Sequence, residues 1–169
     1  MDELAGSVFN AIGLDYLTWK YVHIVSSTLL FGTGLGTAFH MFMSHRTGDV
    51  RSIVTASRNT VLADWLFTTP AVLVQPFSGA MLAASLGLPL TSDWLVATYL
   101  LYVLVGACWL PVVWLQIRMH RYAAEALRTG RDLPDAYHRA AGIWIALGWP
   151  AFISVLGIFY LMLFKQLPI

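Results

Sequence analysis

The sequence predicts an all-α integral membrane protein, a four-transmembrane-helix bundle with both termini on the outer (periplasmic) side. Apolar residues make up 58% of the chain and charged residues only 11%, whereas a soluble domain carries about 25% charged residues. The apolar residues are gathered in four stretches, each long enough to cross the roughly 30 Å of hydrocarbon in a bilayer. Lipid is therefore expected to replace water around much of the protein.

The predicted spans belong to one membrane domain that covers residues 1–169, and they lie at about 16–44, 60–86, 94–119 and 142–164. Trp19 and Tyr21 suit an aromatic belt at the start of the first span. The second span contains Pro70 and Pro76, which membrane helices tolerate when neighbouring groups satisfy the freed carbonyls. We expect a kink near Gln75–Pro76.

The third span is expected to continue as a helix beyond the membrane to about Thr129, where Gly130 ends it. Leu133-Pro134-Asp135 then begins the last helix, with proline near its first turn. Residues 1–15 are expected to be a mildly amphipathic lead at the interface, with a frayed end as the alternative, and they contain no Lys or Arg. That is the wrong charge for a secretory signal peptide, so the first span is expected to be retained.

The basic residues predict the orientation of the bundle. Eight of the ten Lys and Arg flank or occupy the first and third connections: Arg46, Arg51, Arg58, Arg118, Arg121, Arg128, Arg131 and Arg139. The second connection has none. The positive-inside rule therefore puts both basic connections in the cytoplasm and both termini outside.

The first span carries three of the five histidines within WKYVHIVSSTLLFGTGLGTAFHMFMSHR. His23 and His45 are about six helical turns apart, about 40° off one common face and roughly 33 Å apart along the axis. Small residues, Gly34 among them, lie between them on this face. His40 points away, towards the side of Gly36. A face of this composition indicates contact with protein or a cofactor.

One interpretation makes His23 an axial ligand of a b-type heme, because neutral imidazole is the usual protein ligand of heme iron and glycines let the macrocycle approach the backbone. The alternative is a histidine that hydrogen-bonds another helix. Intramembrane ionisable groups are functional candidates by default. Met81 and Met162 lie at roughly matching depth as second ligands, although such methionines usually only pack; the iron could also be five-coordinate.

The other four histidines, His40, His45, His120 and His138, lie at the cytoplasmic ends of the spans. Together they could bind a second heme, copper or zinc. The alternative is a set of separate interfacial histidines beside basic loops. His45 ends the first span and His138 precedes the last, so this pair is the one we expect to meet.

Three further polar residues lie at or near membrane depth. Gln75 and Gln116 are expected to form interhelical hydrogen bonds, with a quinone or proton path as the alternative. Asp64, at the predicted inner start of the second span, is expected to cap its helix and to favour the positive end of the helix dipole. A proton relay is the alternative for this carboxyl.

Small residues indicate where helices approach each other closely. Gly32-x-x-x-Gly36 and Ser78-Gly79 are packing signals of the small-residue kind, or give clearance for a cofactor. The single cysteine, Cys108, lies among apolar residues and is expected to be a buried, inert thiol. One cysteine allows no intrachain disulfide.

Several strings of the chain resemble a bacterial family of predicted integral membrane proteins that bears a domain of unknown function. They are YVHIVSSTLLFGTGLGTAF, HRTGD, QPFSG, WLPVVWLQIRM, LPDAYHR and GWPAFISVLGIFYLM, and they extend over nearly the whole chain. The resemblance implies a multi-pass protein of the bacterial cytoplasmic (inner) membrane and implies no activity.

A looser similarity concerns the first span, in which Lys20, His23 and His45 resemble the first helix of the bacterial membrane protoporphyrinogen oxidase. That family in turn is similar to copper-resistance membrane proteins, and the similarity implies heme binding at His23.

The leading hypothesis is a b-type heme protein that transfers electrons, with quinone as a possible partner, or assists a respiratory or heme pathway. Its alternatives are a non-catalytic small subunit packed in a larger complex or a homo-oligomer, and a copper-handling protein. Nucleic acid is not an expected partner.

Overall fold

The structure is a computed structural model that describes residues 16–167, so the predicted lead over residues 1–15 lies outside the described part. Within that part, four helices are long and apolar enough to cross a membrane, and no strand is present. They are α1 (Tyr16–Thr47), α2 (Val50–Ser85), α3 (Asp93–Thr129) and α4 (Asp135–Phe164). The prediction of an all-α, four-span protein is confirmed.

The connection between α1 and α2 is shorter than the sequence predicted, because α2 begins at Val50 rather than near residue 60. Gly48 takes a left-handed conformation (φ 69°), and Asp49 follows it as the N-cap of α2. The Asp49 carboxylate accepts hydrogen bonds from the backbone N–H groups of Arg51 and Ser52. Arg51 and Arg58, predicted in a connecting segment, therefore lie on the helix itself.

The connection between α3 and α4 agrees with the prediction. α3 continues to Thr129 and ends at Gly130, which adopts φ 65° and donates its N–H to the carbonyl of Ala126. This is the left-handed C-terminal residue for which glycine is preferred. α4 begins at Asp135, directly after Pro134.

α2 departs from α-helical geometry at Asp64–Thr68, which form a π-helical turn. Thr69 donates its N–H to the carbonyl of Asp64, five residues back, and the next residue, Pro70, has no N–H to donate. The helix runs on through Pro76 to Ser85. The π-helical irregularity thus lies just before Pro70, and the kink near Gln75–Pro76 stays a prediction.

The helices pack as two pairs, α1 along α2 and α3 along α4, and the first half of α2 also packs on α3. The tightest core lies where the cytoplasmic ends are predicted, around the fully buried side chains of Met41, Met119 and Tyr137. Further along the bundle, Phe31 of α1 contacts two phenylalanines of α4, with ring centroids 5.9 and 5.2 Å away.

The outward faces of the helices are strongly apolar. Leu73, for example, is 70% exposed and Leu163 is 75% exposed. In water such a surface would be costly, whereas in a bilayer the hydrocarbon tails cover it and the helical backbone satisfies its own hydrogen bonds. The four helices therefore suit lipid as their solvent.

Candidate functional site

His23 lies in a polar cluster between α1 and α2. Its Nδ1 is 3.0 Å from the hydroxyl of Ser78, and its Nε2 is 3.1 Å from the amide nitrogen of Gln75. The hydroxyl of Ser26 in turn donates to Oε1 of Gln75. The expectation that Gln75 joins two helices by a hydrogen bond is confirmed, and its partner is the histidine.

The contacts of the cluster allow a tautomer that suits a metal ligand. When the Ser78 hydroxyl donates to the carbonyl of Val74, 2.8 Å away, its lone pairs are left to accept from Nδ1 of His23. The Gln75 amide nitrogen then donates to Nε2, which carries the lone pair of the imidazole. The opposite tautomer uses the same atoms, with Ser78 donating to Nδ1 and the Gln75 amide turned over.

Gly79 makes the close approach of α2 to the imidazole possible. A Cβ atom at this position would lie 3.2 Å from Cε1 of His23. The Ser78-Gly79 packing signal therefore marks a real contact. Gly32 and Gly36, by contrast, are exposed and have nothing within 4 Å of an added Cβ, so Gly32-x-x-x-Gly36 makes no close helix contact within the described chain.

An apolar cavity of about 390 Å³ lies between α1, α3 and α4. Its wall includes Gly34 and several large aromatic side chains, among them Trp109, Trp144 and Phe152. A second space, of about 40 Å³, lies beside Gln75 and Ser27. The two spaces share the wall residues Leu30, Val105 and Val155, so they follow one another along the same interior face.

Four side chains with a hydroxyl, amide or carboxyl group line the large cavity. Thr37 donates to the carbonyl of Thr33 on its own helix at 2.8 Å. The other three are Asp64 and Thr68 from the π-helical turn and Gln116 from α3, and each of these is at most 5% exposed. The side chains of Thr68 and Gln116 lie close to the Asp64 carboxyl. Yet Oδ2 of Asp64, Oγ1 of Thr68 and Oε1 of Gln116 have no hydrogen-bond partner of normal geometry within residues 16–167.

These positions correct one expectation. Asp64 does not cap a helix, because the N-cap of α2 is Asp49 and Asp64 lies well inside the helix. Gln116 does reach from α3 to the Asp64 carboxyl on α2, as an interhelical contact requires, but its carbonyl oxygen has no partner in the described chain. Sequence reasoning missed the cavity itself, and it did not single out Thr68; an Asp and a Thr one helical turn apart, directly before Pro70, were the available signal.

At the other candidate site the structure brings His45 and His138 together. Their ring centroids are 6.1 Å apart, and Nδ1 of His45 is 3.2 Å from the hydroxyl of Tyr137. His40 is exposed, and His120 pairs with Ser57 at 3.1 Å. No group of three or more His, Cys, Asp or Glu that could hold a metal forms within residues 16–167, so the four histidines do not converge.

The remaining candidates lie apart from these clusters. Met81 and Met162 are both half-buried. Met162 follows Phe159 by about one helical turn on α4, and Phe159 lines the small space beside Gln75. Cys108 is buried, as expected.

The apolar surface, the four long helices and the polar groups enclosed between them define the class: a multi-pass integral membrane protein with interior polar sites. The chain belongs to the family described as predicted integral membrane protein (DUF2269), which matches residues 17–166. No curated protein and no solved structure matches the chain.

Proposed function

We propose that this protein binds a b-type heme in the bacterial cytoplasmic membrane, with His23 as an axial ligand, and that it transfers electrons. Heme would supply a one-electron redox centre within the bilayer. Heme-pathway assistance, the other form of this hypothesis, requires the same cofactor and the same ligand. The bundle would be oriented with both termini on the periplasmic side.

The observation that carries the proposal is the set of contacts at the His23 ring. Histidines that ligate metals usually donate their other ring N–H to a fixed acceptor, which sets the tautomer and the orientation of the ring. The Ser78 hydroxyl lies 3.0 Å from Nδ1 and can serve as that acceptor, which would leave the lone pair of Nε2 for a metal. Gly79 leaves room for the ring, because a Cβ atom there would meet it.

The residues around His23 have the chemical character that heme requires. The space beside them is too small for heme until the local structure changes. Nε2 is covered by the Gln75 amide, and the space beside Gln75 is about 40 Å³. Heme binding therefore requires the Gln75 side chain to turn away and the helices to part on that side. The apolar side chains around that smaller space, among them Leu30, Ile158 and Phe159, provide walls of the right character.

The proposal is tested by absorption spectra of the purified protein, oxidised and dithionite-reduced, after expression with ample heme. We expect a b-type spectrum and a pyridine hemochrome with stoichiometric heme. His23→Ala should abolish or strongly shift the spectrum. His40→Ala is the matched control, because this histidine lies on the same helix but is exposed.

A colourless wild-type protein would overturn the proposal, and so would a His23→Ala spectrum identical to that of wild type. A colourless protein that purifies as a homo-oligomer, or together with a larger complex, would instead support the small-subunit alternative. If the protein is coloured, the absorption spectra of Met162→Leu and Met81→Leu show which methionine serves as the second axial ligand.

A second candidate function, copper or zinc handling, is favoured by the adjacency of His45 and His138. Imidazole is a suitable ligand for both metals. Two histidines alone make an incomplete site, so further ligands would come from water, substrate or another protein. Metal analysis of wild type and of His138→Ala tests this candidate, and equal metal content in the two proteins would exclude it.

A further inference from the structure

The large cavity ends in buried polar groups that lack partners, and that is the feature of the bundle in need of explanation. A buried polar atom without a hydrogen bond costs free energy, because it has given up water and gained nothing in return. Asp64, Thr68 and Gln116 present three such atoms to one cavity. Their placement indicates a ligand or ordered water at this end.

Two of the three atoms, Oδ2 of Asp64 and Oγ1 of Thr68, belong to the π-helical turn. Turns of this kind are rare in proteins, and those that do occur are often found at functional sites. The third, Oε1 of Gln116, is a carbonyl oxygen and can only accept a hydrogen bond. A carboxylate oxygen is likewise an acceptor, so the polar end offers acceptors to a molecule that carries donors.

The rest of the cavity is apolar and aromatic, and it reaches the lipid-facing surface. Leu35, Phe39 and Trp149 line the cavity and are also 47%, 64% and 63% exposed. These residues come from α1 and α4, so the opening lies between those two helices. A molecule would enter sideways from the bilayer rather than from water.

We propose that this cavity binds an isoprenoid quinol. One hydroxyl of the flat ring would enter the polar end and donate to Oε1 of Gln116, beside Asp64, the ring would lie against the tryptophans, and the tail would leave through the gap between α1 and α4. A phospholipid headgroup is disfavoured, because its phosphate would meet two acceptor oxygens. A plain hydrocarbon would leave all three polar atoms unpaired.

Binding of quinol at this cavity does not depend on heme at His23, which lines neither space. Only electron transfer between quinol and heme would rest on the proposed function. The binding test can therefore be performed on heme-free protein and on His23→Ala, and its failure is distinguishable from a failure of the heme proposal.

The test measures saturable binding of decylubiquinol to the protein in lipid nanodiscs, kept anaerobic, with empty nanodiscs as the blank. The second probe is the dimethyl ether of the same quinol, which keeps ring and tail but has no hydroxyl to donate. We expect the ether to bind about tenfold more weakly, the effect of one to two lost hydrogen bonds.

The variants use a matched pair of threonines on α2. Thr68 and Thr60 are both buried with an unpaired hydroxyl, but only Thr68 lines the cavity. Gln116→Met should weaken quinol binding about tenfold and Thr68→Val should weaken it to a smaller extent, whereas Thr60→Val should leave it unchanged.

Equal affinity for quinol and ether, or an absence of saturable binding, would overturn the proposal and leave ordered water as the partner of the three atoms. Because the comparison of the two probes is made on the wild-type protein, it decides the question even where Gln116→Met does not fold.

Discussion

Ser78 contacts His23 through one atom, because its hydroxyl oxygen lies 3.0 Å from Nδ1 and 2.8 Å from the carbonyl of Val74 on its own helix. Deleting that oxygen removes a hydrogen-bond partner from a half-buried ring nitrogen. Alanine also has a higher helix propensity than serine, so the substitution needs a matched control. A serine elsewhere on the same helix provides the comparison.

We expect Ser78→Ala to lower the free energy of unfolding by about 1 kcal/mol. The control is Ser85→Ala, because Ser85 lies on the same helix, is exposed, and bonds only the carbonyl of Met81 at 2.7 Å. Thermal unfolding in detergent, followed by circular dichroism, gives the comparison. Equal stability of the two variants would show that the Ser78–His23 contact contributes nothing.

A second residue-scale prediction concerns the two kinds of glycine on α1 and α2. Gly79→Val should displace the His23 ring and destabilise the protein, because even the first added carbon meets the imidazole at 3.2 Å. Gly36→Val meets open space and should be close to neutral. Unfolding temperatures of the two variants test this, and an equal loss at both sites would contradict it.

At the scale of the helix, the start of α2 depends on one side chain. Asp49 accepts from the backbone N–H groups of Arg51 and Ser52 and from the Ser52 hydroxyl at 2.6 Å. These hydrogen bonds favour the charged carboxylate and therefore lower the pKa of Asp49. The bond from the Ser52 side chain has the largest effect. The hydrogen bonds also fix the two-residue turn that lets α2 fold back along α1.

A lowered pKa gives this cap a defined pH dependence. The stabilisation by Asp49 is present above the carboxyl's ordinary pKa of 3.8 and is lost as the pH falls through the lower value of the folded state. Asp49→Ala should therefore reduce the unfolding temperature slightly at pH 7, and the difference from wild type should disappear in strong acid. Asp132→Ala, in the exposed α3–α4 connection, should show no such pH-dependent difference.

At the scale of the whole molecule, the packing is uneven. The core around Tyr137 joins all four helices at one end, whereas beyond it two helix pairs flank the cavity. The basic residues gather at the end with the tighter core, where the positive-inside rule puts the cytoplasm. Orientation in the membrane is thus a property of the complete bundle.

Reporter fusions test that orientation. Alkaline phosphatase inserted in the α2–α3 connection at Leu90 should be active, because that connection is expected outside. The same reporter inserted in the α3–α4 connection at Arg131 should be inactive. The reverse pattern in both fusions would show that the bundle is inverted.

Features that depend on local chemistry were predictable from the sequence. The number of spans is determined by apolar length, and the end of α3 is determined by Gly130, since glycine adopts φ 65° without strain. His23 was singled out because ionisable groups are rare at membrane depth. Its partners, Gln75 and Ser78, and the cavity at Asp64 depend on how distant helices approach each other, which a local pattern does not specify.

The π-helical turn at Asp64–Thr68 means that α2 carries one residue more than a regular helix would need at this point. One residue is worth about 100° of rotation, so the turn sets the register of the second half independently of the first. Ser57 can then meet His120 of α3, while Ser78 meets His23 of α1. Deleting a single residue from the turn would accordingly rotate the second half of α2 about its axis as well as shorten the helix. The inner half of the bundle would keep its contacts, whereas Gln75 and Ser78 would face away from His23.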